Sequence, residues 1–387
     1  MPQNKAAWIT SPGAHPFVVK EAPYPSAGPG EVVIKNAAIA INPVEWKIQY
    51  HSEEHKYVYN YPFILGSDCA GTVEDVGEGV TRFVKGDRVI AFCPSLPTNN
   101  TAQSAFQHYT LVPATHTISI PASLPFKNGV VLPLALATAA SGLYPPNLLN
   151  LPLPTTPPRK TELRKTVLIW GGSSSVGLAA IQLAVASGLR VTATCSPANF
   201  ELVKSVGAEE VFDYRSASAA SDIVASLQQP DTEFAGVYDA ISESSSFSMV
   251  KSIVETLQSK APIAVVMPCA ADMASEWYNP QFLMGFQILA PPHQHIGEYI
   301  FGELLPEALE KGVMQAKPDA EVVGKGLESM QHGVDVLKKG VSAKKIVVEF
   351  KTDDDDRVLD SLVPESDKYA ADWLLFQKLL DLWAQKQ

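Results

Sequence analysis

The clearest pattern lies in the middle of the chain, where short apolar runs alternate with stretches of helical periodicity. Thr166–Trp170 reads as a buried strand, Val176–Ser187 as a helix and Arg190–Thr194 as a second strand. Asn199–Val206 is the next helix, and strand patterns follow at Glu210–Asp213, Ala235–Asp239 and Ala261–Met267. Strand–helix units of this length predict a parallel, doubly wound sheet.

The flanks differ. In the first third, Glu31–Lys35, Gly71–Val76 and Asp87–Phe92 are strand-like and are punctuated by Gly66, Gly71, Gly77, Gly79 and Gly86. Short strands set apart by glycine predict a small barrel-like domain. Pro145–Lys165 is rich in proline and threonine, and proline fixes φ and removes a donor, so an ordered surface excursion or linker is expected there. Lys344–Phe350 reads as a last strand, followed by the acidic run Asp353–Asp356. In Tyr369–Trp383 the residues Trp373, Phe376, Leu380 and Trp383 have helical spacing. They predict an amphipathic tail helix whose apolar stripe docks on the protein itself or on a partner chain.

Composition narrows the function classes. With 387 residues, 46% hydrophobic and 18% charged, the chain is globular and long enough for two domains. A net charge of −11 without a basic block argues against nucleic acid as the main partner. No apolar run reaches the roughly 20 residues of a spanning helix, and Met1–Thr10 lacks a secretory pattern. A cytoplasmic protein without membrane partners is expected. Cys69, Cys93, Cys195 and Cys269 are scattered, which suits buried thiols better than a disulfide framework or zinc knuckle. His293 and His295 lack companion ligands and are expected in a loop without a metal role.

Candidate chemistry centres on Gly171-Gly-Ser-Ser-Ser-Val-Gly177, between the first strand and first helix of the alternating region. A dinucleotide site needs small residues there, so that backbone N–H groups at a helix N-terminus reach the pyrophosphate. The middle glycine of the usual pattern is replaced by serine, and the hydroxyls of Ser173, Ser174 and Ser175 are themselves potential phosphate donors. After the second strand, Thr194-Cys-Ser-Pro-Ala-Asn199 carries no acid. NAD binders place Asp or Glu there for the ribose, so NADPH is expected. Ser196, Asn199, Tyr214 and Arg215 form the polar set for a 2′-phosphate, although Ser196 and Asn199 also suit helix capping.

Several motifs together resemble the medium-chain dehydrogenase/reductase superfamily, in its quinone-reductase branch, over roughly residues 5–350. They are Ile41-Asn-Pro-Val-Glu-Trp-Lys47, Gly66-Ser-Asp-Cys-Ala-Gly-Thr-Val73, Phe83-Val-Lys-Gly-Asp-Arg-Val89, Leu132-Pro-Leu-Ala-Leu-Ala-Thr-Ala139 and the loop at 171–177. Leu151-Pro-Leu-Pro154, Ala193-Thr-Cys-Ser-Pro-Ala-Asn-Phe200 and Gly207-Ala-Glu-Glu-Val-Phe-Asp-Tyr-Arg215 are similar to the fungal trans-acting enoyl reductases that serve polyketide synthases.

The resemblance implies an α/β fold: a GroES-like β-rich catalytic domain at 1–140, a Rossmann domain at 141–289, a return to the catalytic domain at 290–350 and a tail at 351–387. It implies NADPH held by Val44, Glu45, Trp46 and Lys47, by Ser173, Ser174, Ser175 and Val176, by Ser196, Pro197, Ala198 and Asn199, and by Tyr214. Lys47 and Thr138 are the expected catalytic donors, and Tyr50, Tyr57 and Tyr59 lie in a segment expected to overhang the site. The implied reaction is reduction of an activated C=C bond on a small or carrier-bound enoyl substrate, with a polyketide synthase as partner and a monomer or homodimer as the unit. A free-standing quinone or enone reductase, or a non-redox isomerase or cyclisation catalyst, are the alternatives. The zinc branch's Gly-His-Glu motif becomes Gly66-Ser67-Asp68, and its four-cysteine lobe is missing, so no zinc is expected.

Overall fold

A computed structural model describes residues 3–51, 60–159, 164–230 and 232–351. The chain starts with strands β1 (Asn4–Ile9), β2 (Val18–Ala22) and β3 (Glu31–Ala40), then helix α1 (Pro43–Tyr50). Next come β4 (Phe63–Ile64), β5 (Asp68–Val76), β6 (Arg88–Phe92), the single turn α2 (Ser95–Thr98), β7 (Tyr109–Pro113) and β8 (Thr117–Ser119). Helices α3 (Phe126–Gly129) and α4 (Pro133–Leu143) close this half. The alternating region holds β9 (Lys165–Trp170), α5 (Ser175–Ala186), β10 (Arg190–Cys195), α6 (Phe200–Ser205), β11 (Glu210–Asp213) and α7 (Ala219–Leu227). It continues through β12 (Glu233–Asp239), α8 (Ser244–Leu257), β13 (Ile263–Val265) and β14 (Pro280–Phe282). The chain returns by α9 (Gln294–Tyr299), α10 (Leu305–Glu310), β15 (Asp319–Lys325), α11 (Met330–Lys338) and β16 (Lys344–Glu349).

Two large sheets organise these elements. The six-stranded sheet is parallel, in the order β11-β10-β9-β12-β13-β14. Counted from β9 this is 3-2-1-4-5-6, the doubly wound order of dinucleotide-binding folds. The second sheet runs β15-β16-β3-β5-β6-β8, with β7 also on β3. The last two strands, β15 and β16, thus return the chain to the sheet of the first third. A small sheet, β2-β1-β4, flanks it. The fold is α/β, with a GroES-like β-rich part and a Rossmann part. Residues Met1–Glu349 form one compact unit and Phe350–Gln387 a second. The expected tail helix and the acidic run lie outside the described residues.

Sequence expectations for strands are met in type but shift at their ends. The strand expected at Glu31–Lys35 continues to Ala40, because Ala37–Ala40 is wholly buried against β5 and β16. The strand expected at Ala261–Met267 is only Ile263–Val265. The helix expected at Asn199–Val206 begins as a 3₁₀ turn, Pro197–Asn199, before α6.

The proline-rich segment departs from its expectation as a linker. Leu148, Leu149 and Leu151 are buried in the main core, and the Leu149 and Leu151 N–H groups donate to the Gly142 and Leu143 carbonyls. Thr155 and Arg159 N–H groups both donate to the Ala186 carbonyl, the last residue of α5. The segment cannot form a regular helix, yet Leu148, Leu149 and Leu151 are buried and Leu153 is half-buried. The apolar stretch Phe126–Leu143 is likewise 72% buried, as core rather than as a membrane element.

Candidate active site

A parallel sheet of this order opens a crevice where strand order reverses, here between the carboxyl ends of β9 and β12. The glycine loop lies at that point. Gly171 has φ +78°, a left-handed conformation that glycine adopts without strain. A β-carbon on Gly177 would sit 2.2 Å from the Gly171 carbonyl oxygen, so only glycine lets α5 start this close to the strand. Ser174 caps α5: its hydroxyl accepts from the Gly177 N–H at 3.0 Å and donates to the Gly171 carbonyl at 2.8 Å. Gly172 N–H donates to the Thr194 carbonyl at 2.7 Å, tying the loop to β10. The N–H groups of Ser175 and Val176, in the first turn, have no carbonyl one turn earlier to donate to. They leave a positive, donor-rich cradle that fits a pyrophosphate. The Ser174 hydroxyl thus caps α5 through its oxygen and directs its proton to the Gly171 carbonyl, so a phosphate contact from that proton would replace the Gly171 bond and leave the cap in place.

Lys47 reaches the same edge of the sheet from the other half of the fold. It lies on α1, half-buried, and its ammonium stands 3.5 Å from the Met267 sulfur just beyond β13. Burial pulls its pKa below the ordinary lysine value, and the Glu243 carboxylate at the start of α8 pushes the other way. Thr138 lies on α4. Every residue of that helix is buried except Leu134 and Thr138, which are four positions apart and so share one face. The Thr138 carbonyl accepts the Tyr238 hydroxyl of β12 at 2.7 Å, and a β-carbon on Gly285 would meet the Thr138 hydroxyl at 2.6 Å. Lys47 thus lies just beyond the end of β13 and Thr138 near the end of β12.

Beneath them lies a buried polar cluster that sequence reasoning missed. Asp68 is fully buried and forms an ion pair with Lys345 at 3.1 Å. Its Oδ2 accepts from Asn42 Nδ2 at 2.9 Å, and its Oδ1 accepts the Leu134 N–H at the start of α4 at 2.7 Å. Asn42 is the N-cap of α1, and the Lys345 ammonium also donates to its side-chain oxygen. Glu45 completes a capping box with Asn42 and accepts the Ser67 hydroxyl at 3.0 Å. Burial and the neighbouring Asp68 push the Glu45 carboxyl up to about 7. Its side chain is only 1% exposed and spent inward, so any cofactor contact at Glu45 falls to its backbone, unlike the half-buried Val44, Trp46 and Lys47. Asp68 stood in a quoted motif, but nothing local in sequence ties it to Leu134 or Lys345.

At the far end of β10 the expected polar set is only partly gathered. Ser196 and Asn199 make no side-chain cap bond, so the capping role does not apply. The Asn199 amide instead donates to the Ser342 hydroxyl at 3.1 Å. Pro197 and Ala198 are exposed, and Tyr214 is 41% exposed with the Arg215 guanidinium 5.4 Å from its ring centre. An acid does stand nearby: Asp213 pairs in register with Cys195, but Arg215 neutralises it at 3.3 Å. Tyr50 points away from a substrate role, donating to Asp335 at 2.8 Å beside His15 and Lys338. Tyr57 and Tyr59 lie outside the described residues.

Comparisons with known proteins agree with this architecture. The alcohol dehydrogenase GroES-like domain family matches residues 28–122, and the zinc-binding dehydrogenase family matches residues 175–284. The dehydrogenase pigH of Monascus ruber is 40% identical over 371 residues, covering 90% of this chain and 100% of the relative. The chain belongs to the medium-chain dehydrogenase/reductase superfamily. Within that superfamily it is also similar to the trans-enoyl reductase himH of Aspergillus japonicus, 40% identical over 347 residues, with 90% of this chain and 97% of that protein covered. The solved structure of the CurK enoyl reductase shares the fold, with a TM-score of 0.69 at 18% identity, covering 90% of this chain and 100% of that one.

Membership makes the chain an oxidoreductase of nicotinamide-dependent type, and the cradle at 171–177 fits such a cofactor. Zinc, which the name of the second family implies, does not fit. Ser67 and Asp68 are committed to Glu45, Asn42, Leu134 and Lys345. Among the described residues no three His, Cys, Asp or Glu side chains converge as ligands. Cys69, Cys93 and Cys195 are buried thiols and Cys269 is half-buried. His293 and His295 lie at the start of α9.

Proposed function

We propose that this protein reduces the C=C bond of an α,β-unsaturated acyl thioester with NADPH, acting in trans on a chain carried by a polyketide synthase in the cytoplasm. The observation that carries the reading is that Lys47, at Met267 just beyond β13, and Thr138, at Tyr238 of β12, both contact the carboxyl-end region of the parallel sheet. Similarity to proteins named trans-enoyl reductases supports the substrate class. The lack of an acid at 196–199, with Asp213 neutralised by Arg215, supports NADPH over NADH.

The loop N–H groups of Ser175 and Val176 would hold the pyrophosphate, and Ser196 and Tyr214 would flank the 2′-phosphate. When bound, the nicotinamide supplies a hydride to the β-carbon of the enoyl group. Negative charge then develops on the thioester oxygen, where preorganised donors act most strongly. Lys47, half-desolvated, and the Thr138 hydroxyl are the donors placed to hold cofactor and substrate in line. A proton at the α-carbon completes the reduction.

The test is to incubate purified protein with NADPH and 2-enoyl thioesters, both as small analogues and on a carrier protein, and to weigh the products. A product two hydrogens heavier, formed faster on the carrier and dependent on NADPH, is the expected result. Turnover of small enones or quinones alone, or conversion without NADPH oxidation, overturns it.

A further inference from the structure

We infer that Asp68 is a positioning residue for the proposed reduction, setting Lys47 and Thr138 against each other through the starts of two helices. The inference rests on the proposed function above, and its geometry does not. Each oxygen of this buried carboxylate serves a different helix. Oδ1 takes the Leu134 N–H, which begins α4, and Thr138 lies one turn further on the same face of that helix. Oδ2 takes the Asn42 amide, and Asn42 is the cap from which α1 carries Lys47 into the crevice. One helix precedes Asp68 in the chain and the other follows it, and these two bonds make Asp68 the side chain common to both starts.

The carboxylate is also held against rotation. Lys345 of β16 is 4% exposed, pairs with Asp68 at 3.1 Å and donates to Asn42 as well. Charge-assisted bonds of this kind are short and directional, and they are not screened when buried. A planar carboxylate with both oxygens bonded fixes a distance and an angle between its two partners. Asparagine at 68 would keep one acceptor oxygen but turn an amide donor toward either the Leu134 N–H or the Lys345 ammonium, so one of the two helix starts must be released.

The experiment compares Asp68→Asn and Asn42→Ala with the wild type. Asn42→Ala cuts the tie to α1 but leaves the ion pair and the α4 anchor, so it carries the test if Asp68→Asn does not fold. Two readouts are taken. The first uses the protein without cofactor: the rate at which Lys47 is acylated by an amine-reactive ester, followed by peptide mass spectrometry. The second is kcat and KM for crotonyl-N-acetylcysteamine with NADPH, expressed per NADPH-binding site titrated by fluorescence, so that misfolded protein drops out. The positioning role predicts a changed Lys47 acylation rate, and a kcat per site lower by about ten-fold or more with KM nearly unchanged, the scale on which misplaced groups lose rate. A purely structural role predicts fewer binding sites, with kcat per site and Lys47 reactivity as in wild type, and that result overturns the inference. A lower kcat with unchanged Lys47 reactivity in both variants overturns it too. If the wild type itself reduces no enoyl thioester, the proposed function fails separately, and Lys47 acylation alone then decides whether Asp68 places that side chain.

Discussion

The Tyr238 hydroxyl donates to the backbone carbonyl of Thr138 at 2.7 Å, joining a strand of the parallel sheet to the helix at the active site. The ring packs so close to α4 that a β-carbon on Gly142 would come within 2.3 Å of it. Tyr238→Phe removes the bond and keeps the packing. Stability should fall by about 1 kcal/mol, the net worth of one such bond. Turnover should fall by roughly two- to five-fold, because small displacements of a positioned group are costly. Urea unfolding and steady-state kinetics check both.

Two buried groups should make stability respond to pH in opposite directions. Glu45 is raised from 4.5 to about 7, so the folded state holds a proton that the unfolded chain has lost. Its contribution to stability falls as pH rises through that window. His116 is lowered from 6.5 to about 4 by burial, so the unfolded chain binds the proton first and stability rises over that window. Each effect is on the order of 3 kcal/mol. Glu45→Gln should therefore gain stability relative to wild type as pH goes from 5 to 7.5, and His116→Gln should lose it. Denaturant titrations at the two pH values decide the signs.

Ser196→Asp places a carboxylate where a 2′-phosphate is proposed to lie. NADPH affinity should drop by about ten-fold or more from like-charge repulsion, with NADH affinity unchanged or improved. Fluorescence titration with the two cofactors measures the ratio. An unchanged ratio places the 2′-phosphate elsewhere.

Gly177→Ala forces a methyl group against the Gly171 carbonyl at 2.2 Å. The loop or the start of α5 must move, at a cost of about 1–3 kcal/mol. Cofactor binding should be lost even where the protein stays folded, which calorimetry at a temperature below the unfolding transition will show.

Much of this architecture is legible in the chain. The buried runs at 166–170 and 190–194 and the glycine loop between them are local signals, and they locate the crevice. Lys47 and Thr138 came through family motifs, and the structure places them against Met267 and Tyr238 at the ends of β13 and β12. What sequence could not show depends on partners far apart in the chain. Asp68 and Lys345 are separated by most of the molecule, and their pairing exists only once β16 has joined β3. The proline-rich segment misled for a different reason. Its prolines exclude a helix but not burial, and Leu148, Leu149 and Leu151 pack while the backbone stays irregular. Serines at 173–175 read as phosphate donors, with no sign in sequence that Ser174 also caps α5.

Helix α4 has a mechanical consequence. Its first turn is pinned to the β-rich half through Leu134 and Asp68, and its middle is pinned to the parallel sheet through Thr138 and Tyr238. It is a strut with a fastening in each half, about one turn apart. The two halves therefore cannot swing open like a book without breaking one fastening. A rotation about the axis of α4 would turn the Leu134 N–H away from Asp68 or the Thr138 carbonyl away from Tyr238, so the same two bonds also hold the halves at one angular setting.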